Sequence, residues 1–227
     1  MCGIVGYIGR RQAVPILLEG LKSLEYRGYD SAGIAVAEDG ALKIIRSQGK
    51  IAVLEGKIDK HFGGAGVGIG HTRWATHGRP SDANSHPHTD CQGQIAMVHN
   101  GIIENYLELR EWLEERGHRF TSETDTEVLP HLVEHFYHGN LLEAVSQATK
   151  SLRGSYATVA LSSRHPDLLV AAKKDSPLII GIGDGEYFFA SDIPAVIEHT
   201  RRIIILEDGE VAALTPSGAA VYRDMAP

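Results

Sequence analysis

Cysteine is scarce: the 227 residues contain two, Cys2 and Cys91. Two thiols cannot build a disulfide scaffold, and no Cys-x-x-Cys pair exists for a zinc ribbon or a dithiol redox motif. Long apolar runs are missing too. No stretch approaches the roughly 18 residues of a membrane-spanning helix. No basic segment followed by an apolar one marks a secretory signal. Basic runs are limited to the pairs Arg10-Arg11 and Arg201-Arg202, and the formal charge is −7. That balance excludes nucleic acid or an anionic membrane as the main partner. Repeats, low-complexity tracts and convincing linkers are also lacking. These absences predict one domain over residues 1–227, working in the reducing cytoplasm.

What is present suits a folded core. Hydrophobic residues make up 43% of the chain and charged residues 22%. Residues 3–8 read as a buried strand. Val14, Leu17, Leu18, Leu21 and Leu24 recur at helical spacing, which predicts an amphipathic helix over 12–24. Strands at 34–37 and 42–45 flank Glu38-Asp39-Gly40, a hairpin signal. A short helix follows at 51–58. Strands at 66–71 and 95–99 enclose a polar loop over 72–93, longer than an idle connection inside a compact domain. Helices come next: 104–116, stopped by Gly117; from a capping box of Thr124 and Glu127 to about 138; and 141–152 behind Asn140. The last third is strand-rich, with strands at 156–161, 168–172, 178–182, 187–191, 203–206 and 210–214. Asp184-Gly185 and Asp208-Gly209 supply turns. Strand and helix do not alternate, so a doubly wound parallel sheet is excluded. The expectation is an α+β fold of two mainly antiparallel sheets with helices grouped outside them.

The chain opens Met1-Cys2-Gly3-Ile4-Val5-Gly6. If Met1 is removed, Cys2 carries a thiol and a free α-amine on one Cα. The amine's ordinary pKa is roughly 7.7–8.0 and the thiol's roughly 8.5, so the amine can take the thiol's proton near neutral pH. Nucleophile and base would then share one residue. Taken alone, the same segment is also an ordinary first strand. Arg73 could clamp a carboxylate with its bidentate fork, with Thr76 and His77 beside it, or could lie in a surface loop against Trp74. Asn100 and Gly101 offer an amide and a backbone N–H suited to an oxyanion hole. Alone, Asn-Gly reads as a turn. Asp125 sits in a first helical turn, where a carboxylate is favoured with or without a substrate ammonium.

The twelve histidines invite a metal, but their spacing matches no standard zinc pattern, so no metal is predicted. His131, His135 and His138 fall at helical spacing and read as a solvated face. Cys91 reads as incidental. Gly181-x-Gly183-x-Gly185 lacks the helix that a dinucleotide loop needs after it, and no cofactor is predicted.

Together these pieces resemble a known family. Cys2-Gly3-Ile4-Val5-Gly6 is similar to the start of class II glutamine amidotransferases, which are N-terminal-nucleophile hydrolases. Within that family, three segments look like the glutamine–fructose-6-phosphate aminotransferase branch. They are Glu25-Tyr26-Arg27-Gly28-Tyr29-Asp30-Ser31-Ala32-Gly33, Thr72-Arg73-Trp74-Ala75-Thr76-His77-Gly78 and Ser122-Glu123-Thr124-Asp125-Thr126-Glu127. His99-Asn100-Gly101 fits the same pattern, and the likeness runs from Cys2 to about residue 215. It implies a four-layer αββα sandwich and hydrolysis of L-glutamine through a Cys2 thioester. Asn100 and Gly101 would be oxyanion donors. Arg73 would bind the α-carboxylate with Thr76 and His77 close by, and Asp125 the α-ammonium. Trp74 would lie in a closing loop, and Arg27, His86 and His99 would have supporting parts. Complete members carry two sugar isomerase domains after the glutaminase domain. This chain stops near where those would begin, so the resemblance implies the glutaminase domain without a fructose 6-phosphate site. Two other readings compete: the same fold serving another class II amidotransferase, and a non-catalytic histidine-rich metal-binding module.

Overall fold

The computed structural model describes residues 2–58 and 64–223. Met1, whose removal the sequence reading requires, lies outside the described residues. The order of elements is β1 (Gly3–Ile8), α1 (Ala13–Ser23), β2 (Ser31–Glu38), β3 (Ala41–Gln48), α2 (Ile51–Lys57), β4 (Val67–Arg73), β5 (His88–Thr89), β6 (Ile95–Ile103), α3 (Tyr106–Glu114), α4 (Val128–Phe136), α5 (Leu141–Lys150), β7 (Gly154–Ser162), β8 (His165–Lys174), β9 (Ile179–Ile182), β10 (Tyr187–Ala190), β11 (Ile203–Ile205), β12 (Glu210–Thr215) and β13 (Gly218–Arg223). Two sheets form, in the orders β11-β9-β10-β1-β4-β2-β3 and β13-β12-β8-β7-β6-β5. Every ladder among the described strands is antiparallel.

Side chains alternate across each strand, and that alternation builds the layers. Ile4, Ile8, Ile69 and Phe189 of the first sheet meet Val98, Val159 and Leu169 of the second. Val5, Tyr7 and Phe188 turn the other way, onto Leu17 and Leu21 of α1 and near Ile51 and Leu54 of α2. On the far side, Met97 and Ala160 of the second sheet pack against Val133 of α4 and Val145 of α5. The result is α1 and α2, sheet, sheet, then α3 to α5: the αββα sandwich. Burying each large apolar side chain contributes about 1.5–3 kcal/mol, so packing of the faces, not helix propensity, holds these short helices in place. No helix among the described residues is long and apolar enough to cross a membrane.

The local signals for the β2–β3 hairpin and the α3 stop hold, with Gly40 at φ 77° and Gly117 at φ 92°. Asn140 caps α5 by accepting from the N–H groups of Leu142 and Glu143. Four expectations need correction. Asn100-Gly101 is not a turn: β6 continues to Ile103, paired along its whole length with β7. The ladder overrides local turn preference, and Gly101 meets it at φ 124°, where an added Cβ would lie 2.0 Å from Ser155 O. The Thr124–Glu127 capping box does not form, because the Glu127 carboxylate is taken by Thr121 and Ser122. His131 is not on a solvated face; it is buried, while His138 is exposed. β5 and β13 were not anticipated. β5 has only two residues, and β13 is a half-exposed edge strand with no apolar face to betray it.

One end of the space between the sheets is polar. His71, His86, His88 and His99 are all buried there. His71 stacks on His86 at 4.0 Å between ring centroids, and His86 meets His88 edge-on at 4.9 Å. Burial pushes His71 and His88 down to about 3, pushes His86 well below its ordinary value and lowers His99. These rings fold neutral. Unfolded, they titrate near 6.5, so between roughly 6.5 and 3 the unfolded chain binds protons that the native one refuses. Their stabilisation is complete above that window and is lost as pH falls through it, by up to about 1.4 kcal/mol per pH unit per ring. Urea unfolding at pH 5 is therefore expected at a clearly lower midpoint than at pH 7. A midpoint unchanged between those pH values would contradict neutral burial of this cluster.

Candidate active site

The register of β1 on β4 pairs Gly3 with Thr72. Cys2, just before β1, is thereby set against the peptide that follows β4. Trp74 N donates to Cys2 Sγ at 3.2 Å, and Sγ lies 3.6 Å from Trp74 O. The segment after α1 closes over the same peptide. A Cβ on Gly28 would sit 2.7–2.9 Å from backbone atoms of Arg73 and Trp74, so only glycine allows that approach. Asp30 braces the loop by accepting from Ala75 N and from Ser31 Oγ. Burial pushes the Cys2 thiol up, while the Trp74 N–H and Arg73 pull the other way. The net rise keeps the sulfur protonated at neutral pH, so its attack requires a base.

The second sheet faces Cys2 through β6. Asn100 Nδ2 donates to Cys2 O at 3.1 Å. Its Oδ1 lies 3.0 Å from His71 Nε2, which also lies 2.9 Å from His99 O. Both of those oxygens are acceptors, so Nε2 carries the hydrogen, and buried His71 stays neutral with its pKa near about 3. The amide is thereby oriented, with oxygen towards His71 and nitrogen towards Cys2.

Two opposite charges lie at the deep end. Arg73 ends β4, and its Nη2 donates to His77 O and to Gly78 O. Its Nη1 is buried without a hydrogen-bond partner. Asp125 opens the single 3₁₀ turn Asp125–Glu127 before α4. Asp125 Oδ2 accepts from Ile103 N at 2.9 Å, and Oδ1 lies 4.0 Å from His77 Nδ1. Glu127 fixes this turn. Burial raises its pKa, but the nearby His131 imidazole and hydrogen bonds from Ser122 and Thr121 overcome that and hold it down to about 2. The carboxylate stays charged and pins the backbone two residues ahead of Thr124.

Cys2, Arg73, Trp74, Thr76, His86, His99, Gly101 and Asp125 line a narrow space of about 20 Å³. It continues past Cys2, Trp74, Thr76 and Gly101 into a cavity of about 350 Å³ that Arg27 and Asn100 also line. The narrow end holds little more than one water. Trp74 is about half exposed, edge-on to Tyr29 at 5.5 Å. The fold thus gathers the residues singled out from the sequence, some in the cleft wall and some behind it. His77 backs Asp125 and meets Tyr106 at 5.2 Å. Arg27 is buried against Asp192, with Nη1 to Oδ2 2.7 Å. His99 Nδ1 lies 2.9 Å from Thr126 Oγ1. Sequence reasoning assigned no part in the cleft to His71 or Asp30, and read Glu127 only as half of a capping box. Each acts through a partner distant in sequence or buried under the turn, so no local pattern marked it. The arrangement offers a nucleophile, a nearby amide donor, and a cation and an anion within one cleft.

The comparisons agree with this geometry. The glutamine amidotransferase domain family matches residues 71–198. The chain is 57% identical over 222 residues to a protein of Clostridium tetani named glutamine–fructose-6-phosphate aminotransferase (isomerizing), covering 98% of this chain and 36% of that one. It is 58% identical to the Clostridium perfringens protein of the same name, covering 99% and 37%. The chain therefore spans little more than a third of the length of these relatives. Among solved structures, glutamine phosphoribosylpyrophosphate amidotransferase from B. subtilis, complexed with ADP and GMP, superposes with a TM-score of 0.85. That match has 28% identity and covers 98% of this chain and 49% of the other. The family match takes in more than half of the sequence, including the end of β4, β6 and the Asp125 turn, and the sandwich agrees with it; the chain belongs to the glutamine amidotransferase domain family.

Proposed function

We propose that this chain hydrolyses the side-chain amide of L-glutamine to glutamate and ammonia through a thioester on Cys2. One observation carries the reading: a thiol, a guanidinium and a carboxylate, those of Cys2, Arg73 and Asp125, line one narrow space. An amino acid is a zwitterion, so a site that reads both ends needs one fixed cation and one fixed anion. Arg73 Nη1 takes the α-carboxylate, and Asp125 takes the α-ammonium. Thr76 and His77 flank the head group, and Trp74 covers it. Arg27, His86 and His99 support the walls.

With Met1 removed, the Cys2 α-amine accepts the proton of Sγ as the sulfur–carbon bond forms at the glutamine amide carbon. The Asn100 amide and the Gly101 N–H hold the oxyanion. As the carbon–nitrogen bond breaks, the α-ammonium gives its proton to the departing nitrogen, and ammonia leaves. Water then attacks the thioester with the same amine as base, which releases glutamate and restores the thiol.

The relatives are longer, and their name supports a wider role. The ammonia would pass to sugar isomerase domains of a longer protein, which aminate fructose 6-phosphate to glucosamine 6-phosphate in the cytoplasm. Identity of 57–58% to that branch, against 28% to the phosphoribosylpyrophosphate amidotransferase, favours this assignment.

Cys2→Ala should abolish ammonia release and also the mass increase produced by a glutamine-like electrophile. Turnover near wild type in that variant would reject the nucleophile. Retained Met1, or an N-terminal tag, should cost at least about 10²-fold in rate with the melting temperature unchanged. Full activity in a protein whose mass includes Met1 would rule out the amine as base.

Arg73→Ala and Asp125→Ala should each raise KM by about 30-fold or more, from the roughly 2–5 kcal/mol lost with one partner of a buried charged contact. The Asp125 variant should lose much less on an analogue without the α-amine. Equal losses on both substrates would reduce Asp125 to a backbone anchor.

Asn100→Ala should lower kcat by about 10²–10³-fold and leave glutamate binding intact, because an oxyanion donor acts on the transition state. A purely structural part predicts a lower melting temperature with near-normal turnover per folded molecule. Measuring kcat and melting temperature together separates the two.

A further inference from the structure

Three segments distant in sequence converge beside α4, away from the cleft. The turn after β5 carries Cys91, the segment after α3 carries His118, and α4 carries His131 and Glu134 at i, i+3. Cys91 Sγ lies 3.5 Å from His131 Nδ1 and 3.7 Å from His118 Nδ1. Glu134 Oε2 lies 3.0 Å from His118 Nδ1 and 3.5 Å from His131 Nδ1. All four atoms fall within 4.8 Å of one another.

Those spacings can be set against a coordination shell. Zinc bonds of about 2.0–2.3 Å to nitrogen, oxygen and sulfur put the corners of a tetrahedron about 3.3–3.6 Å apart. The measured edges bracket that range. Hydrogen bonding accounts for the shortest edge, between His118 and Glu134. The longer edges place Nδ1 of both imidazoles towards the same sulfur and the same carboxylate oxygen, as a shared ion would.

The surroundings match as well. Arg119 N lies 3.5 Å from Cys91 Sγ, as a donor to a thiolate would. His131 Nε2 is buried without a hydrogen-bond partner and lies 3.9 Å from Glu127 Oε1. A carboxylate behind the far nitrogen is the usual orienting partner of a ligating imidazole. Cys91 is exposed and borders an open cavity of about 500 Å³, which gives an entry path.

We propose that Cys91, His118, His131 and Glu134 bind one divalent transition-metal ion, with zinc the best fit, in a closed structural site. One thiolate, two imidazoles and one carboxylate are suitable zinc ligands, and four protein ligands fill the tetrahedron. No position is left for a substrate, so the ion clamps rather than catalyses. It ties the β5–β6 turn and the segment after α3 onto α4. Through His131 and Glu127 it also backs Thr121 and Ser122, which lead into the Asp125 turn.

The 227-residue chain, stripped by a chelator under reducing conditions, should be titrated with zinc against a chromophoric competitor. One equivalent is expected to bind and to raise the melting temperature. Cobalt should give a thiolate charge-transfer band and the strong visible bands of a tetrahedral ion. Cys91→Ser and His118→Ala should each weaken zinc binding by more than the roughly 10–100-fold that loss of an orienting partner costs. Cys2→Ser should bind normally, which separates this site from the other thiol. Circular dichroism checks that each variant is folded. Zinc affinity unchanged in folded Cys91→Ser, or a cobalt spectrum without the thiolate band, would overturn the proposal, as would the absence of stoichiometric binding by the wild type.

Discussion

The antiparallel ladder between β1 and β4 is the constraint on which the cleft depends. It pairs Gly3 with Thr72 and so holds Cys2 against the Trp74 peptide, with Arg73 beside it. Side chains alternate along a strand, so a slip of one residue would turn every side chain of β1 to the opposite face. The register is held from both sides, because β10 pairs with β1 on its other edge. Ser191 Oγ accepts from Ile4 N, and Arg27 donates to Ser191 O and Asp192. The position of Cys2 is thus a property of a buried, doubly paired strand, not of a loop.

The second sheet is coupled to this strand by polar contacts between largely buried groups. Neutral His71 bridges them, bound to His99 O and Asn100 Oδ1 while Asn100 reaches Cys2 O. Around the same space, Arg73 Nη1, His77 Nδ1 and His99 Nε2 are buried without hydrogen-bond partners. A buried unpaired polar atom costs roughly 1–3 kcal/mol. A core selected for stability alone would not gather so many in one place. A zwitterionic ligand can satisfy several of them, so the cost sits where binding can return it.

Helix α4 links this cleft to the cysteine–histidine cluster. Its first turn follows Glu127, which grips Thr121 and Ser122 and so presents Asp125. One turn on, His131 stands between Glu127 and Glu134. The two carboxylates belong to different jobs, one towards the cleft and one towards Cys91 and His118, and a single buried imidazole touches both environments. Any clamp on the outer cluster therefore bears on the turn that carries Asp125.

The sequence by itself determined most of the element inventory, all but β5 and β13, and the chemistry of the key side chains. Period-2 and period-3.6 patterns found β1, α1, the β2–β3 hairpin, α3 and α5, because these elements bury one clean apolar face or carry a local cap. The thiol of Cys2, the fork of Arg73, the amide of Asn100 and the carboxylate of Asp125 were legible as chemistry, and motif resemblance grouped them. Tertiary structure decided the rest. Asn100-Gly101 looks like a turn until β7 supplies a continuous ladder. His131 looks like one member of a solvated row until α4 packs that face inward. Cys91 looks incidental until the chain brings His118, His131 and Glu134 to it. The physical reason is common to all three. Local patterns report how a residue relates to its own turn or strand, whereas hydrogen bonding, burial and coordination depend on neighbours that only the closed sandwich supplies.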